Sequence, residues 1–413
     1  MRPPAPAATL AFGSPNACNL CHVDKDAHWS DEWVRRWEPR DYQAPLLDNA
    51  RLIAAARKQN WSELPAMLKF LASTNRHEVW TASLIQLLRP CEDERKWPAL
   101  LGCLKDPSPL VRAAAVDACS DGLRPDAIRP LLAATSDELR VVRIRAAAAL
   151  APLPADMIPN ESKRALGLAT AELEASLVAR PDDSASHYNL GNLHMERREY
   201  DKAIAAFDQA SKLQPESLPA LVNASLAHTA LGQNDKAEQS LRRALKVDPT
   251  NAVANLNLGM LAAELGKLAD AERAFRTAFA SDPKSAAAAY NLGVLLANDR
   301  SDEAVTWSQR AAQLRPQEPK YAYTLAYFLA SQNKSAEAID VLEKSVAQTP
   351  PHADSFALLG QLYETQQNLR AAAALYQRAA NIGQFPAEAR EQFAKRARIL
   401  QSPETGTSNP AQH

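Results

Sequence analysis

Residues 18–22, Cys-Asn-Leu-Cys-His, form the one short motif whose spacing has chemistry written into it. Two thiols one helical turn apart, Cys18 and Cys21, can add to the two vinyl groups of a single porphyrin. The imidazole of the next residue, His22, then lies under the iron as an axial ligand. This predicts one covalent c-type haem per chain. His28, six residues further on, is a weak candidate for the opposite axial position, because so short a segment can hardly serve both faces of one porphyrin. Zinc is the competing ligand for Cys18, Cys21, His22 and His28. The C-x-x-C half suits it, yet such sites usually take their second pair from a separate segment, and His22 directly after Cys21 is a poor second arm. Motif form favours haem, and a remnant motif without a ligand is the third reading.

A second pattern is periodic. Asn189, Asn223, Asn257 and Asn291 recur every 34 residues. A carboxamide offers a donor and an acceptor together, so it can bind a peptide unit's C=O and N–H without reading the side chain. There is no nucleophile elbow, glycine-rich phosphate loop or H-E-x-x-H in the repeats, so nothing positions a reaction and the chain does not read as an enzyme.

The elements that must carry these residues are repeats. Gly191 returns as Ser225, Gly259, Gly293, Ala326 and Gly360, and only small residues occupy the position. Twelve residues on, Ala203 returns as Ala237, Ala271, Ala304, Ala338 and Ala372, with one deletion before Ala304. Units close on Pro215, Pro249, Pro283, Pro316 and Pro350. Each unit therefore reads as two amphipathic helices that cross closely at small residues, the second ended by proline. With Leu190-Gly191, Ala203, Phe207, Ala210 and Pro215 in place, the pattern resembles the tetratricopeptide repeat in six units. Ser225 and Ala326 depart from its packing glycine, and Gln384 from its last proline. The resemblance implies an α-solenoid with a concave groove that takes a protein or peptide partner, the four asparagines lying on first helices near that groove. Rungs about 8 to 10 Å apart against an extended strand rising about 3.3 Å per residue would fall roughly every three ligand residues. The ladder resembles that of peptide-binding repeats in O-linked sugar transferases. The alternative is that asparagine before Leu-Gly is simply common in such repeats.

Around the Cys-x-x-Cys-His motif, Pro15-Asn16-Ala17 and Asp24-Lys25-Asp26-Ala27-His28-Trp29 resemble the last haem motif of bacterial multihaem cytochromes fused to HEAT and tetratricopeptide repeats. The order of parts here follows the same plan, which implies an electron-transfer context and a redox partner. Asp24 is expected to cap a helix that carries Trp29, Trp33 and Trp37 on one face and ends at Pro39. That stripe is either ordinary core or a wall for the haem.

Between Asp48 and Leu153 runs a looser repeat. Leu64-Pro65-Ala66-Met67-Leu68 matches Trp97-Pro98-Ala99-Leu100-Leu101, and Asp106, Val111 and Arg112 recur as Asp137, Val142 and Arg143. This resembles short HEAT-like repeats. The aspartates are expected to cap second helices and the arginines to tie neighbouring turns. Pro152, Pro154 and Pro159 mark a joint. Residues 162–180 read as a helix capping the array, residues 388–399 as a last helix, and residues 402–413 as a tail of disordered composition.

The expected fold is thus an all-α double solenoid. Its parts are a c-haem segment over 1–43, HEAT-like repeats over 44–155, a tetratricopeptide array over 161–383, and a closing helix with tail over 384–413. Forty-seven basic against 48 acidic residues leave no electrostatic footprint for nucleic acid or an anionic membrane. No window is apolar for long enough to span a bilayer. Residues 1–12 break with prolines where an export signal would keep an apolar helix. Haem attachment outside the cytoplasm then calls for a start further upstream, with a periplasmic location. Cys91, Cys103 and Cys119 read as buried thiols, not disulfides. The function expected is a partner-binding scaffold carrying a haem, with a plain interaction scaffold and an empty or zinc-bound motif as the alternative.

Overall fold

The computed structural model describes residues 4–38, 40–74, 76–121, 123–347 and 351–401, and every regular element among them is helical. The chain is an all-α repeat solenoid. It divides into two compact units, Met1–Ala206 and Phe207–His413, the division falling inside helix Tyr200–Leu213.

The first unit opens with three helices, Pro6–Phe12, Ala17–Cys21 and Ala27–Trp37. Helix Pro6–Phe12 packs against both Ala27–Trp37 and Ala44–Arg57. Gln43, almost fully buried, ties them together: its Oε1 accepts from the Ala7 N–H at 3.0 Å and its Nε2 donates to Asp31 Oδ1 at 2.9 Å. The cap of helix Ala27–Trp37 is Asp26, whose carboxylate accepts from the Trp29 N–H at 2.8 Å. Asp24, the expected cap, pairs instead with Lys25. The register decides this, since an N-cap oxygen reaches the N–H two or three residues ahead and Trp29 lies three residues beyond Asp26. Pro39, expected to end this helix, is outside the described residues, as are Pro350 and the tail from 402.

Helix pairs follow from Leu64 to Ala149 around one core that includes Leu64, Met67, Leu100 and Leu131. Their register is held by a ladder of ions. Asp106 Oδ1 accepts from the Ser108 N–H at 2.8 Å and Asp137 Oδ1 from the Leu139 N–H at 2.9 Å, so each aspartate fixes the turn leading into a second helix. Arg112 donates to both carboxylate oxygens of Asp137 at 2.7 and 2.9 Å and to the Asp106 and Pro107 carbonyls. One repeat later Arg143 does the same with the Asp137 and Glu138 carbonyls and the Glu172 carboxylate. Arg76 pairs with Asp106 at the start of the series. The arginines therefore tie neighbouring turns, as their spacing implied. Cys91, Cys103 and Cys119 are free and buried. After a short turn at Ala155–Met157, helix Asn160–Val178 packs on both Arg140–Ala149 and Ser184–Glu196.

In the second unit the pairs are Leu218–Ala230 with Asn234–Val247, Ala252–Glu264 with Leu268–Ser281, Ala286–Leu296 with Ser301–Leu314, Pro319–Ser331 with Ser335–Val346, and Ala353–Thr365 with Leu369–Ala380. Helix Ala387–Gln401 packs on the last of them. Small residues allow these crossings. Ala203, Ala237, Ala271, Ala304, Ala338 and Ala372 are all buried to within 1%. A methyl group on Gly259 would stand 2.5 Å from the Phe275 ring, and one on Gly360 or Gly293 would collide with Tyr376 or Ser308. Pro215, Pro249, Pro283 and Pro316 each lie just past the end of a second helix.

The turn inside all but one of these pairs uses a left-handed residue. Gly232 and Gly266 adopt it at φ of 69° and 73°, and Arg198, Asn333 and Gln367 occupy the same place at 58°, 61° and 61°. In the pair Ala286–Leu296 with Ser301–Leu314 the one-residue deletion removes this residue, and Arg300 enters the next helix at φ −137°. The deletion thus exchanges one turn type for another and leaves the helix crossing at Gly293 intact.

Candidate functional site: a row of first helices and an N-terminal Cys-x-x-Cys-His turn

The first helices of successive repeats lie side by side. Leu218–Ala230 touches Ala252–Glu264, which touches Ala286–Leu296. Asn223, Asn257 and Asn291 stand at the same register on these three helices and are half-buried. The Asn291 amide donates to the Ala287 carbonyl one turn earlier at 2.9 Å, which holds the side chain along its helix and leaves the carboxamide oxygen as an acceptor. Asn189 holds the matching register on helix Ser184–Glu196, is exposed, and belongs to the first unit.

Three residues after Asn223, Asn257 and Asn291, and so on the same helix face, lies an apolar side chain that the sequence reading missed; the matching position after Asn189 is Asn192. Leu226, Met260 and Val294 are 39%, 46% and 46% exposed, and Tyr327 continues the series at 53%. The period is the one that revealed the asparagines. The signal was hidden because a leucine or valine in an Ala/Leu-rich helix looks like core until its exposure is known. Aromatic rings gather toward the C-terminal end of this row: Tyr323 stacks on Tyr327 with centroids 6.4 Å apart, and Tyr290 faces Tyr321 at 5.0 Å.

At the other end of the sequence, Cys18 and Cys21 lie on the one-turn helix Ala17–Cys21, half-exposed and exposed respectively, with free thiols. Asn16, buried, starts the turn: its Oδ1 accepts from the Cys18 and Asn19 N–H groups at 3.1 and 3.2 Å, and its Nδ2 donates to Thr9 Oγ1 and Asn19 Oδ1 at 2.9 and 2.8 Å. Asn19 is fixed in turn by Ser30, whose hydroxyl donates to it at 3.0 Å, and by the Lys25 carbonyl, to which it donates at 2.8 Å. The His22 N–H donates to the Cys18 carbonyl at 2.9 Å, closing the turn. This polar scaffold around the motif was also not read from sequence, although Asn16 precedes Ala17 as an N-cap should.

The His22 ring sits 4.9 Å from Trp29, which leads to Trp33 at 6.3 Å and Trp37 at 5.7 Å. Helix Ala27–Trp37 buries Ser30 and Val34 instead, while Trp37 is 66% exposed. The tryptophan stripe is therefore not ordinary core. Leu20 and Val23, either side of Cys21 and His22, are 75% and 83% exposed. Two accessible thiols one turn apart, an adjacent exposed imidazole and uncovered apolar side chains around them fit the donor set and the apolar surface that a covalent haem requires. His28 is exposed at the start of the next helix. Among the described residues no three His, Cys, Asp or Glu side chains converge as ligands for a metal ion. No helix among them is long and apolar enough to cross a membrane.

The row of first helices has relatives. A tetratricopeptide repeat model matches residues 184–217, and a second matches 222–272 and 256–319. The model of anaphase-promoting complex, cyclosome, subunit 3 matches 297–379. No curated protein matches the chain in sequence. Among solved structures, pilF of Pseudomonas aeruginosa is similar at 19% identity, over 51% of this chain and 97% of its own, with a TM-score of 0.43. YrrB, described as a TPR protein with an unusual peptide-binding site, is similar at 21% identity over 45% of this chain and 97% of its own, with a TM-score of 0.37. A tetratricopeptide repeat protein from Parabacteroides merdae is 19% identical over 66% of this chain and 99% of its own, with a TM-score of 0.41. Over residues 184–217 and 222–319 this chain matches the tetratricopeptide repeat.

Proposed function

We propose that the chain is an interaction scaffold that binds an extended peptide segment of a partner protein along its row of first helices. Asn223, Asn257 and Asn291 are the rungs, with Asn189 as their counterpart in the first unit. The observation that carries this reading is one carboxamide at one register on each of three helices lying side by side. A carboxamide can answer either group of a peptide unit, which suits recognition of a backbone whatever its side chains, and Asn291, whose amide donates to Ala287, offers its oxygen to a peptide N–H. A single rung contributes about 1 kcal/mol net, so one Asn→Ala change weakens binding about fivefold. Titration calorimetry tests this with a peptide selected from a random library on the wild-type protein. The quadruple variant Asn189→Ala/Asn223→Ala/Asn257→Ala/Asn291→Ala is expected to lose detectable binding, and an unchanged affinity eliminates the ladder.

The N-terminal segment, residues 1–43, is proposed to carry one covalent c-type haem ahead of HEAT-like repeats over 44–155, a tetratricopeptide array over 161–383 and a closing segment over 384–413. Cys18 and Cys21 would hold the group by thioethers and His22 would ligate its iron. When bound, a haem supplies reversible one-electron transfer, which implies a redox partner and a location outside the cytoplasm. Asn16 and Asn19 hold the thiols one turn apart, Trp29 packs on the His22 ring, and Leu20, Val23 and Trp37 offer apolar surface that keeps water from the group. Co-expression of an exported form with haem-attachment machinery, read by denatured mass, tests this. One haem increment that Cys18→Ser/Cys21→Ser abolishes and that His28→Ala leaves in place is expected. No increment in the wild type marks the motif as a remnant.

A further inference from the structure

We infer that the row of first helices selects an uncharged peptide in the polyproline II conformation, with an apolar side chain at every third position. This rests on the peptide-binding reading above and adds what the ligand's side chains and backbone shape must be. The first observation is charge. Helices Leu218–Ala230, Ala252–Glu264 and Ala286–Leu296 carry a single Asp, Glu, Lys or Arg among them, Glu264 at the last position of the middle one, in a chain of which 23% of residues are charged. Their partners in each pair are the reverse: Asn234–Val247 alone holds Asp235, Lys236, Glu238, Arg242, Arg243 and Lys246. Charge is thus carried by the second helices. A charged ligand laid on the first helices would lose hydration with almost nothing to replace it.

The second observation is the exposed series Leu226, Met260, Val294 and Tyr327, one apolar side chain in each of four successive repeats, each of the first three set one turn beyond a rung asparagine. Apolar side chains left half-exposed at a fixed period form a surface whose burial favours a ligand with the same period. Packed helices stand about 8 to 10 Å apart. A β-strand returns a side chain to the same face every second residue, about 6.6 Å on, which falls out of step with the helices. A polyproline II chain returns it every third residue, about 9.3 Å on, which keeps step. The backbone of that conformation makes no internal hydrogen bonds, so its C=O and N–H groups are free for Asn223, Asn257 and Asn291. The rings of Tyr290, Tyr323 and Tyr327 at the far end of the row are the kind of surface on which such chains dock.

The test uses the full chain and a synthetic peptide of repeated Leu-Pro-Ser triplets, one triplet per repeat, with fluorescence anisotropy as the readout. Controls replace each leucine by aspartate, or move leucine to every second position. The Leu-Pro-Ser peptide is expected to bind and both controls to fail. Met260→Ser/Val294→Ser, at exposed positions where folding is checked by circular dichroism, should weaken binding at least about tenfold with every asparagine in place. Equal binding of either control peptide overturns the inference. So does an unchanged affinity in Met260→Ser/Val294→Ser while Asn257→Ala/Asn291→Ala lowers it, and in that case the ladder survives. Insensitivity to the asparagine changes as well removes both readings. Self-association in sedimentation that Met260→Glu abolishes would make a second copy of the chain the occupant and also overturn the inference.

Discussion

Replacing Gly259 by alanine adds one methyl group at a point where the helices Ala252–Glu264 and Leu268–Ser281 cross, and the consequences can be worked through. In an open helix the change stabilises by about 1 kcal/mol, because alanine loses less backbone freedom than glycine. At Gly259 the new carbon would stand 2.5 Å from Phe275 Cδ1 and Cε1, on a ring that is 1% exposed and has nowhere to go. Overpacking of this kind costs about 1 to 3 kcal/mol. The net effect runs from break-even to about 2 kcal/mol of destabilisation, and Gly259→Leu is worse. Gly167 supplies the control, since it lies mid-helix with nothing within 4 Å of an added methyl. Urea unfolding followed by circular dichroism should place Gly167→Ala above the wild type and Gly259→Ala at or below it. Adding Phe275→Leu should recover part of the loss, with a coupling of about 1 kcal/mol. If Gly259→Ala stabilises as much as Gly167→Ala, the repeat register assigned to the chain is wrong.

Burial works against the ionised form of Asp137, yet its hydrogen bonds from Arg112 and the Leu139 N–H outweigh that and hold the carboxyl below its ordinary value. The pair's contribution is therefore complete above the unfolded carboxyl value of about 4 and is lost as pH falls through the lower folded value. Asp137→Asn should cost about 3 kcal/mol near neutral pH, and the gap in urea midpoint from the wild type should close below about pH 4; a gap independent of pH would refute it. Gln367, left-handed at φ 61° where other repeats place glycine, should gain about 1 kcal/mol on substitution by glycine, measured as a thermal upshift. Alkylation by iodoacetamide, followed by intact mass, should modify Cys18 and Cys21 in the native protein and Cys91, Cys103 and Cys119 only in denaturant. Burial pushes the Cys119 thiol up to about 12, which keeps its nucleophilic form scarce.

What was legible in the sequence is what close packing demands of residue type. Gly259, Ala271 and Phe275 form one crossing, and only small residues opposite a large ring satisfy it, so the pattern repeats wherever the crossing does. The arginine and aspartate ladder was legible for a similar reason, since Arg112 and Asp137 must pair once their turns are stacked. Less was visible where two residues compete for one role. Asp24 and Asp26 are equally good caps by type, and only the position of the Trp29 N–H separates them. Exposure was invisible altogether. Trp29, Trp33 and Trp37 at helical spacing look like core, and it is Ser30 and Val34 that point inward. Leu226, Met260 and Val294 escaped for the same reason, even though the lack of charge on their helices stands in plain view in the sequence.

Whether the first helices of residues 218–296 form the proposed ligand-binding face is decided by photo-crosslinking of the full chain with a Leu-Pro-Ser peptide bearing a benzophenone in place of one leucine, mapped by peptide mass. Adducts are expected on Leu218–Ala230, Ala252–Glu264 and Ala286–Leu296, lost when unlabelled peptide is added in excess. Adducts on the charged second helices Asn234–Val247 and Leu268–Ser281, or confined to the first unit, would contradict it.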